Sequence, residues 1–327
     1  MPVKKGGDFS RMRPAGQTEY VGKAKSAITH YAKEIINKGD AMIILSYQPP
    51  YDWTWMFAFL GDRAVEGVET VTSERYRRTL AMEGHHGWLT LTPRAENHHL
   101  EVEISEGLQP VVDKVVERVR RLLDLDMNPA IVHQTLGELA SNRPGLRLPG
   151  CMDVFEQGVR AILGQLVSVK QAARLTGKVV AAYGAPLDAQ GEWRLFPTAA
   201  QLALADPLVL KALGMPLKRA EALIHLAREC EAGRFPLTRP TDVEQGMKAL
   251  MQMPGIGRWT ANYFALRGWQ APDVFLADDY AIKQRFAGMT PAQIRRYALR
   301  WQPWRSYALL HIWFSYGWRP DDQLMAK

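Results

Sequence analysis

Two glycines, three aromatic residues and one leucine stand at spacings that could do chemistry in this chain. The stretch Asp242 to Trp269 places Pro254-Gly255-Ile256-Gly257 between two helical patterns, one starting after Asp242 as N-cap and one running from Arg258 to Arg267. The glycines allow a tight turn with positive φ and leave bare N–H groups at a helix N-terminus, where the dipole and unpaired donors favour a phosphate. Such a turn would grip a nucleic-acid strand without reading its bases. Gly-x-Gly alone does not decide this, because any tight turn between helices can use it. Trp259 and Tyr263 are four apart and share one face of the second helix. With Trp313 they could stack on an extruded base and attract one made cationic by alkylation; aromatics at this spacing also serve as ordinary core. Gly164-Gln165-Leu166 interrupts an apolar helical run between Val154–Leu163 and Val167–Val180. A leucine exposed at such a tip can wedge into a base step, and a buried one simply packs.

The Gly-x-Gly hairpin resembles the helix-hairpin-helix element of DNA repair glycosylases, a superfamily in which an Asp follows the hairpin at a short interval. Here Asp279 lies 22 residues beyond Gly257, beside Asp278 and before a helical pattern from Tyr280 to Phe286. An Asp in that place can cap the helix, and one of the pair is expected to do only that. The other is a candidate anion, kept ionised by the same N–H groups, for the positive charge that develops on a deoxyribose as its glycosidic bond breaks.

These residues need a scaffold, and its pattern changes along the chain. From Met42 to about Asp126 the periods mix: a strand at Ile43–Gln48, a helix from Thr54 to about Glu66, alternation through Val68–Met82, and strands at Gly87–Thr92 and His98–Ile104. A helix with Val111, Val112, Val115, Val116, Val119, Leu122 and Leu123 on one stripe closes this part. The spacing predicts an α+β fold class: an N-terminal antiparallel-sheet domain with helices at 42–128, followed by an all-α region at 129–327. The all-α region divides into subdomains at 154–271 and at 129–153 plus 272–327.

The first 41 residues carry eight Lys or Arg against four Asp or Glu, and they read as an appended basic arm with one short helical stripe ending near Lys38-Gly39. The arm is expected to be dispensable, or to precede the true start at Met42; the alternative is an arm that adds phosphate affinity. The whole chain of 327 residues is long enough for two or three domains. Its net charge of +7 favours a polyanionic partner without naming it. Two cysteines, Cys151 and Cys230, are too few for a disulfide framework or an all-cysteine cluster and fit a reducing compartment, with the cytoplasm as default. No apolar run reaches the roughly 18 residues of a membrane helix. His85-His86 and His98-His99 lack zinc spacing and are expected as solvated or turn residues.

From Tyr47 to about Pro320 the chain resembles the bacterial 3-methyladenine DNA glycosylase II (AlkA-type) family. The stretches that carry the resemblance include QPPYDWTWM, RPGLRLPGC, DVFEQGVRAILGQLVSV, MPGIGRWTANYFALRGWQ, DDYAIKQRF and PWRSYALLHIW. The resemblance implies that Asp279 is the catalytic carboxylate, that Trp259, Tyr263 and Trp313 line the base pocket, and that Gln165, Leu166, Gly255 and Gly257 contact DNA. It implies no cofactor for the chemistry, and a structural sodium held by the main-chain carbonyls of Met251, Met253 and Gly255. The implied partner is double-stranded DNA bearing alkylated bases such as 3-methyladenine or 7-methylguanine, bound by a monomer. Relatives that also cut the backbone carry a Lys two residues after the second hairpin glycine; Trp259 stands there, so base removal without strand cleavage is expected. Iron-sulfur members carry four C-terminal cysteines, and none follows Cys230. Ala277 replaces a frequent Pro, and Phe314 a usual Tyr. The competing readings are a noncatalytic hairpin protein that only binds DNA and a glycosylase for oxidised bases.

Overall fold

The computed structural model describes residues 42–321; the expected basic arm at 1–41 lies outside them. Five strands form one antiparallel sheet in the order β1-β5-β4-β3-β2: β1 (Met42–Ser46), β2 (Glu69–Val71), β3 (Tyr76–Met82), β4 (His85–Arg94) and β5 (His99–Ile104). The register pairs Ile43 with Val102, Val102 with Leu91 and Leu91 with Tyr76. Because side chains alternate across a strand, Tyr76, Leu89, Leu91, Leu100 and Val102 all bury in the core. That core also takes Met56, Phe57 and Leu60 of α1 (Trp53–Gly61) and Val115, Val119, Leu122 and Leu123 of α2 (Val112–Leu123). His98 turns between β4 and β5 in the left-handed region, with φ 54°.

Two boundaries differ from the sequence expectation for local reasons. The helix expected to reach Glu66 stops at Gly61, because Arg63 N and Ala64 N bond three residues back, to Leu60 O and Gly61 O at 3.1 Å each, and the Val65 N–H then goes to the Glu69 carboxylate at 3.0 Å. Val65 and Val68 then bury against Val180 instead of extending the helix. The alternation through Val68–Met82 is also two strands rather than one, since Thr72 closes a turn on Arg75 at 2.9 Å.

Beyond Asn128, whose side chain caps the next helix at 3.0 Å, the regular elements among the described residues are all helical. They are α3 (Pro129–Leu136), α4 (Glu138–Ser141), α5 (Val154–Leu163), α6 (Val169–Tyr183), α7 (Ala199–Ala203), α8 (Pro207–Ala212) and α9 (Leu217–Glu231). After these come α10 (Val243–Leu250), α11 (Arg258–Arg267), α12 (Tyr280–Arg285), α13 (Pro291–Ala298) and α14 (Arg305–Phe314). The sheet is tied to the helices by buried charge. Arg78 of β3 donates to Glu156 of α5 at 2.7 Å, and Arg160 donates to Glu69 at 2.6 Å. Burial would raise the Glu156 carboxyl, but Arg78 and Arg160 outweigh it and hold the group down at about 2. Among the described residues no helix is long and apolar enough to cross a membrane.

Candidate active site

The hairpin is built as its sequence suggests, with one exception. The Asp242 side chain accepts from Gln245 N at 2.9 Å and starts α10, and α11 begins at Arg258. Gly255 has φ 78°, and a Cβ there would come within 2.5 Å of the Ala222 Cβ, so both conformation and space demand glycine. Gly257 does not have the positive φ expected of it. It is extended, at φ −86° and ψ 178°, as the N-cap of α11, and a Cβ there would meet open space. What its missing side chain does is leave the helix end bare. The N–H groups of Arg258, Trp259 and Thr260 precede the first intrahelical bond, from Ala261 N to Gly257 O at 3.0 Å.

Asp279 is the N-cap of α12, its Oδ1 accepting from Ala281 N at 3.0 Å and Ile282 N at 3.2 Å. The same carboxylate accepts from two indoles: Trp313 Nε1 reaches Oδ1 at 3.0 Å and Trp259 Nε1 reaches Oδ2 at 3.0 Å. Capping and pocket duties therefore fall on one residue, not on two as the sequence suggested. Asp278 does neither; it faces Arg258 at 3.7 Å and Arg295 at 3.5 Å on the surface. Among the described residues no cation pairs with Asp279, so its partners are dipoles only. The Trp259 ring stacks on Tyr263 with centroids 5.0 Å apart and planes 8° from parallel. A cavity of about 370 Å³ opens between these groups, walled by Trp259, Tyr263, Asp279, Trp313, Phe314 and Phe59.

Residues 42–153 match the AlkA N-terminal domain, and residues 159–297 match the HhH-GPD superfamily of base excision DNA repair proteins. Over 281 residues the chain is 62% identical to DNA-3-methyladenine glycosylase 2 of Escherichia coli strain K12, spanning 86% of this chain and 100% of that relative. The chain belongs to the DNA-3-methyladenine glycosylase 2 family. Its fold is also that of a 3-methyladenine DNA-glycosylase from Archaeoglobus fulgidus, with TM-score 0.70, 21% identity and coverage of 83% and 96%. An 8-oxoguanine glycosylase/lyase from Clostridium acetobutylicum, solved with double-stranded DNA, shares the fold at TM-score 0.65 and 14% identity, covering 85% of this chain and 94% of its own.

The pocket also holds residues that sequence reasoning missed. Phe59 comes from α1, so the sheet-bearing part supplies one wall; the Arg63 guanidinium lies 3.7 Å from its ring centroid and that of Arg267 lies 4.8 Å away. Arg267 is buried and donates to Pro149 O at 2.6 Å, to Gly150 O at 2.9 Å and to the Tyr263 hydroxyl at 3.4 Å. Burial alone would raise the Tyr263 phenol, but Arg267 and Arg63 outweigh it and hold the group below its usual range. Arg267 stands four residues after Tyr263, a same-face spacing that could have flagged it; Phe59 left no local signal. Phe314, in place of Tyr, packs edge-on against Trp55 at 5.2 Å and Phe59 at 6.3 Å. Cys151 also lines the cavity, but burial pushes its thiol up to about 12, which leaves it inert as a nucleophile.

Leu166 is not a packed core residue. The residue is fully exposed, and its backbone is left-handed at φ 54°. Gln165 beside it turns its amide into the protein, with Nε2 donating to Gly255 O at 2.7 Å and to Thr260 Oγ1 at 3.0 Å. Met253 O accepts from Ile256 N at 3.1 Å. No cluster of three or more His, Cys, Asp or Glu able to hold a metal occurs among the described residues. The hairpin instead offers neutral carbonyl oxygens from Met251, Met253 and Gly255, a donor set that suits a hard monovalent cation and not zinc.

Proposed function

We propose that this protein is a monofunctional DNA glycosylase that flips alkylated purines out of double-stranded DNA and hydrolyses their N-glycosidic bond, leaving the strand intact. The observation that carries the reading is the Asp279 carboxylate, fixed by four N–H donors beside an aromatic pocket, with no cation paired to it among the described residues. An N3- or N7-alkylated purine is already cationic, so it leaves with the bonding electron pair as a neutral base. The deoxyribose is then left with oxocarbenium character. Asp279 stabilises that charge electrostatically. Water adds its oxygen to the sugar carbon and gives up a proton.

Trp259, Tyr263 and Trp313 hold the extruded base, each cation–π contact contributing about 0.5 to 2 kcal/mol of discrimination. Leu166 fills the gap in the duplex, and the bare end of α11 at Gly257, with Gly255, takes the phosphate. The carbonyls of Met251, Met253 and Gly255 would hold a monovalent cation, which adds positive charge for that phosphate when bound. No other cofactor enters the reaction, and the protein acts as a monomer. Trp259, where a lyase would need an amine, supports base removal without strand scission.

The test incubates purified protein with methylated duplex DNA, follows released bases by chromatography, and scores strand breaks before and after alkali. Free 3-methyladenine with breaks only after alkali is expected. A folded, DNA-binding protein that released no base would overturn the reading in favour of a binding-only hairpin protein, and breaks without alkali would reveal a lyase nucleophile.

A further inference from the structure

The loop that carries Leu166 and the hairpin lie against one face of α9. Arg219 and Ala222 stand three apart on that helix, so they project from neighbouring positions of the same face. Ala222 sits directly beneath Gly255, where no side chain larger than hydrogen fits. Arg219 Nη2 donates to the main-chain oxygen of Gln165 at 2.6 Å. The Gln165 side chain closes the triangle by donating to Gly255 O at 2.7 Å and Thr260 Oγ1 at 3.0 Å. The residue that follows, Leu166, is fully exposed in a left-handed conformation that a branched apolar side chain adopts only where its neighbours over-determine the backbone. Gln165, immediately before it, is thus held both through its main-chain oxygen and through its side chain.

We propose that Arg219 is a positioning residue for base flipping. It holds the Gln165 peptide so that Leu166 stays outward, at a fixed offset from the phosphate-gripping hairpin, and α9 serves as the bar that aligns the two DNA contacts. This rests on the reading of Leu166 as the wedge. A duplex kinked about an inserted side chain offers its phosphates at one spacing only, so a loop free to drift would engage wedge and hairpin one at a time.

The experiment uses the full chain with Arg219→Met, Arg219→Lys, Leu166→Ala and the Arg219→Met/Leu166→Ala double variant. Three quantities are read. One is single-turnover release of 7-methylguanine. The second is fluorescence of a 2-aminopurine placed beside a tetrahydrofuran abasic analogue, which reports insertion into the gap. The third is affinity for undamaged duplex. Arg219→Met should slow release and weaken insertion about tenfold, the factor expected for one lost charge-assisted hydrogen bond. Affinity for undamaged duplex should hold, Arg219→Lys should recover part of the loss, and the double variant should be no worse than Leu166→Ala alone. Multiplied losses in the double variant, or an equal loss on undamaged duplex, would show that Arg219 acts on DNA directly and would overturn the proposal. An unaffected Arg219→Met beside an impaired Leu166→Ala would do the same. A silent Leu166→Ala would sink the wedge reading and the proposal with it.

Discussion

Replacing Asp279 by Asn tests the chemistry at its one charged atom pair. The carboxylate receives four N–H groups: Ala281 N, Ile282 N and Trp313 Nε1 on Oδ1, and Trp259 Nε1 on Oδ2. An Asn that keeps its oxygen on the first three turns its NH₂ toward the Trp259 indole, donor against donor. The lost partner costs about 1 to 3 kcal/mol of stability, so the variant still folds. Its catalytic loss is larger. A unit charge about 4 Å from the developing sugar cation, at an effective dielectric near 20, is worth about 4 kcal/mol, which is about a thousandfold in rate. Single-turnover release of 7-methylguanine should therefore fall about a thousandfold while affinity for duplex DNA stays within a few-fold. Asp279→Ala should fall at least as far, which removes any dependence on how the Asn amide orients. Release within tenfold of wild type by both variants, each shown folded by its melting transition, would refute the electrostatic role.

Three further outcomes follow from the same geometry. Trp313→Phe keeps an aromatic wall but removes one N–H from Oδ1, so release should slow about tenfold, for a loss of about 1 to 1.5 kcal/mol, with duplex affinity unchanged by filter binding. Burial pushes the Asp124 carboxyl up to about 7 despite hydrogen bonds from Leu148 N and Tyr307, so the folded chain binds a proton that the unfolded chain releases. Stability from this group is present below the usual carboxylate range and is lost as pH rises toward 7. Buried His311, pushed down to about 4 by burial, gives the opposite slope, so the readout is a difference. In urea titrations at several pH values, Asp124→Asn should gain on wild type from about pH 4 to 7 and hold a constant margin above that. Cys151 should resist iodoacetamide at pH 8 in the native protein and react in urea, as mass spectrometry would show.

Much of the site was legible because its logic is local. Asp242 as cap, the Gly-x-Gly turn and the pair Trp259 and Tyr263 fix α10, the hairpin and the stacked face from a single stretch of chain. What could not be read depends on approach between distant segments. Phe59 stands at a pocket whose other aromatic walls lie about 200 or more positions later in the chain, and the sheet-bearing part is held to the helices there by contacts such as Arg78 with Glu156, 78 residues apart, and Arg160 with Arg63 O and Glu69. Gly255 needs glycine partly because Ala222 lies under it, and Gly257 is extended because it caps a helix; the dipeptide pattern shows neither reason. Spacing alone could not divide Asp278 from Asp279, since either could cap α12; the family resemblance pointed to Asp279, and the indoles of Trp259 and Trp313 on its carboxylate show that it is the one facing the cavity.

That one residue both caps α12 and faces the pocket has a physical rationale. An anion meant to stabilise a transient cation must be held rigidly, and an arginine or lysine that held it would cancel most of its field. Dipoles hold it without adding net charge: two peptide N–H groups at a helix N-terminus and two indole N–H groups orient both oxygens while the net charge stays at minus one. The arginines near the pocket are engaged elsewhere, Arg267 on the carbonyls of Pro149 and Gly150 and Arg63 on that of Phe59. On this account, placing a lysine where it can reach Asp279 should damage catalysis more than it damages folding.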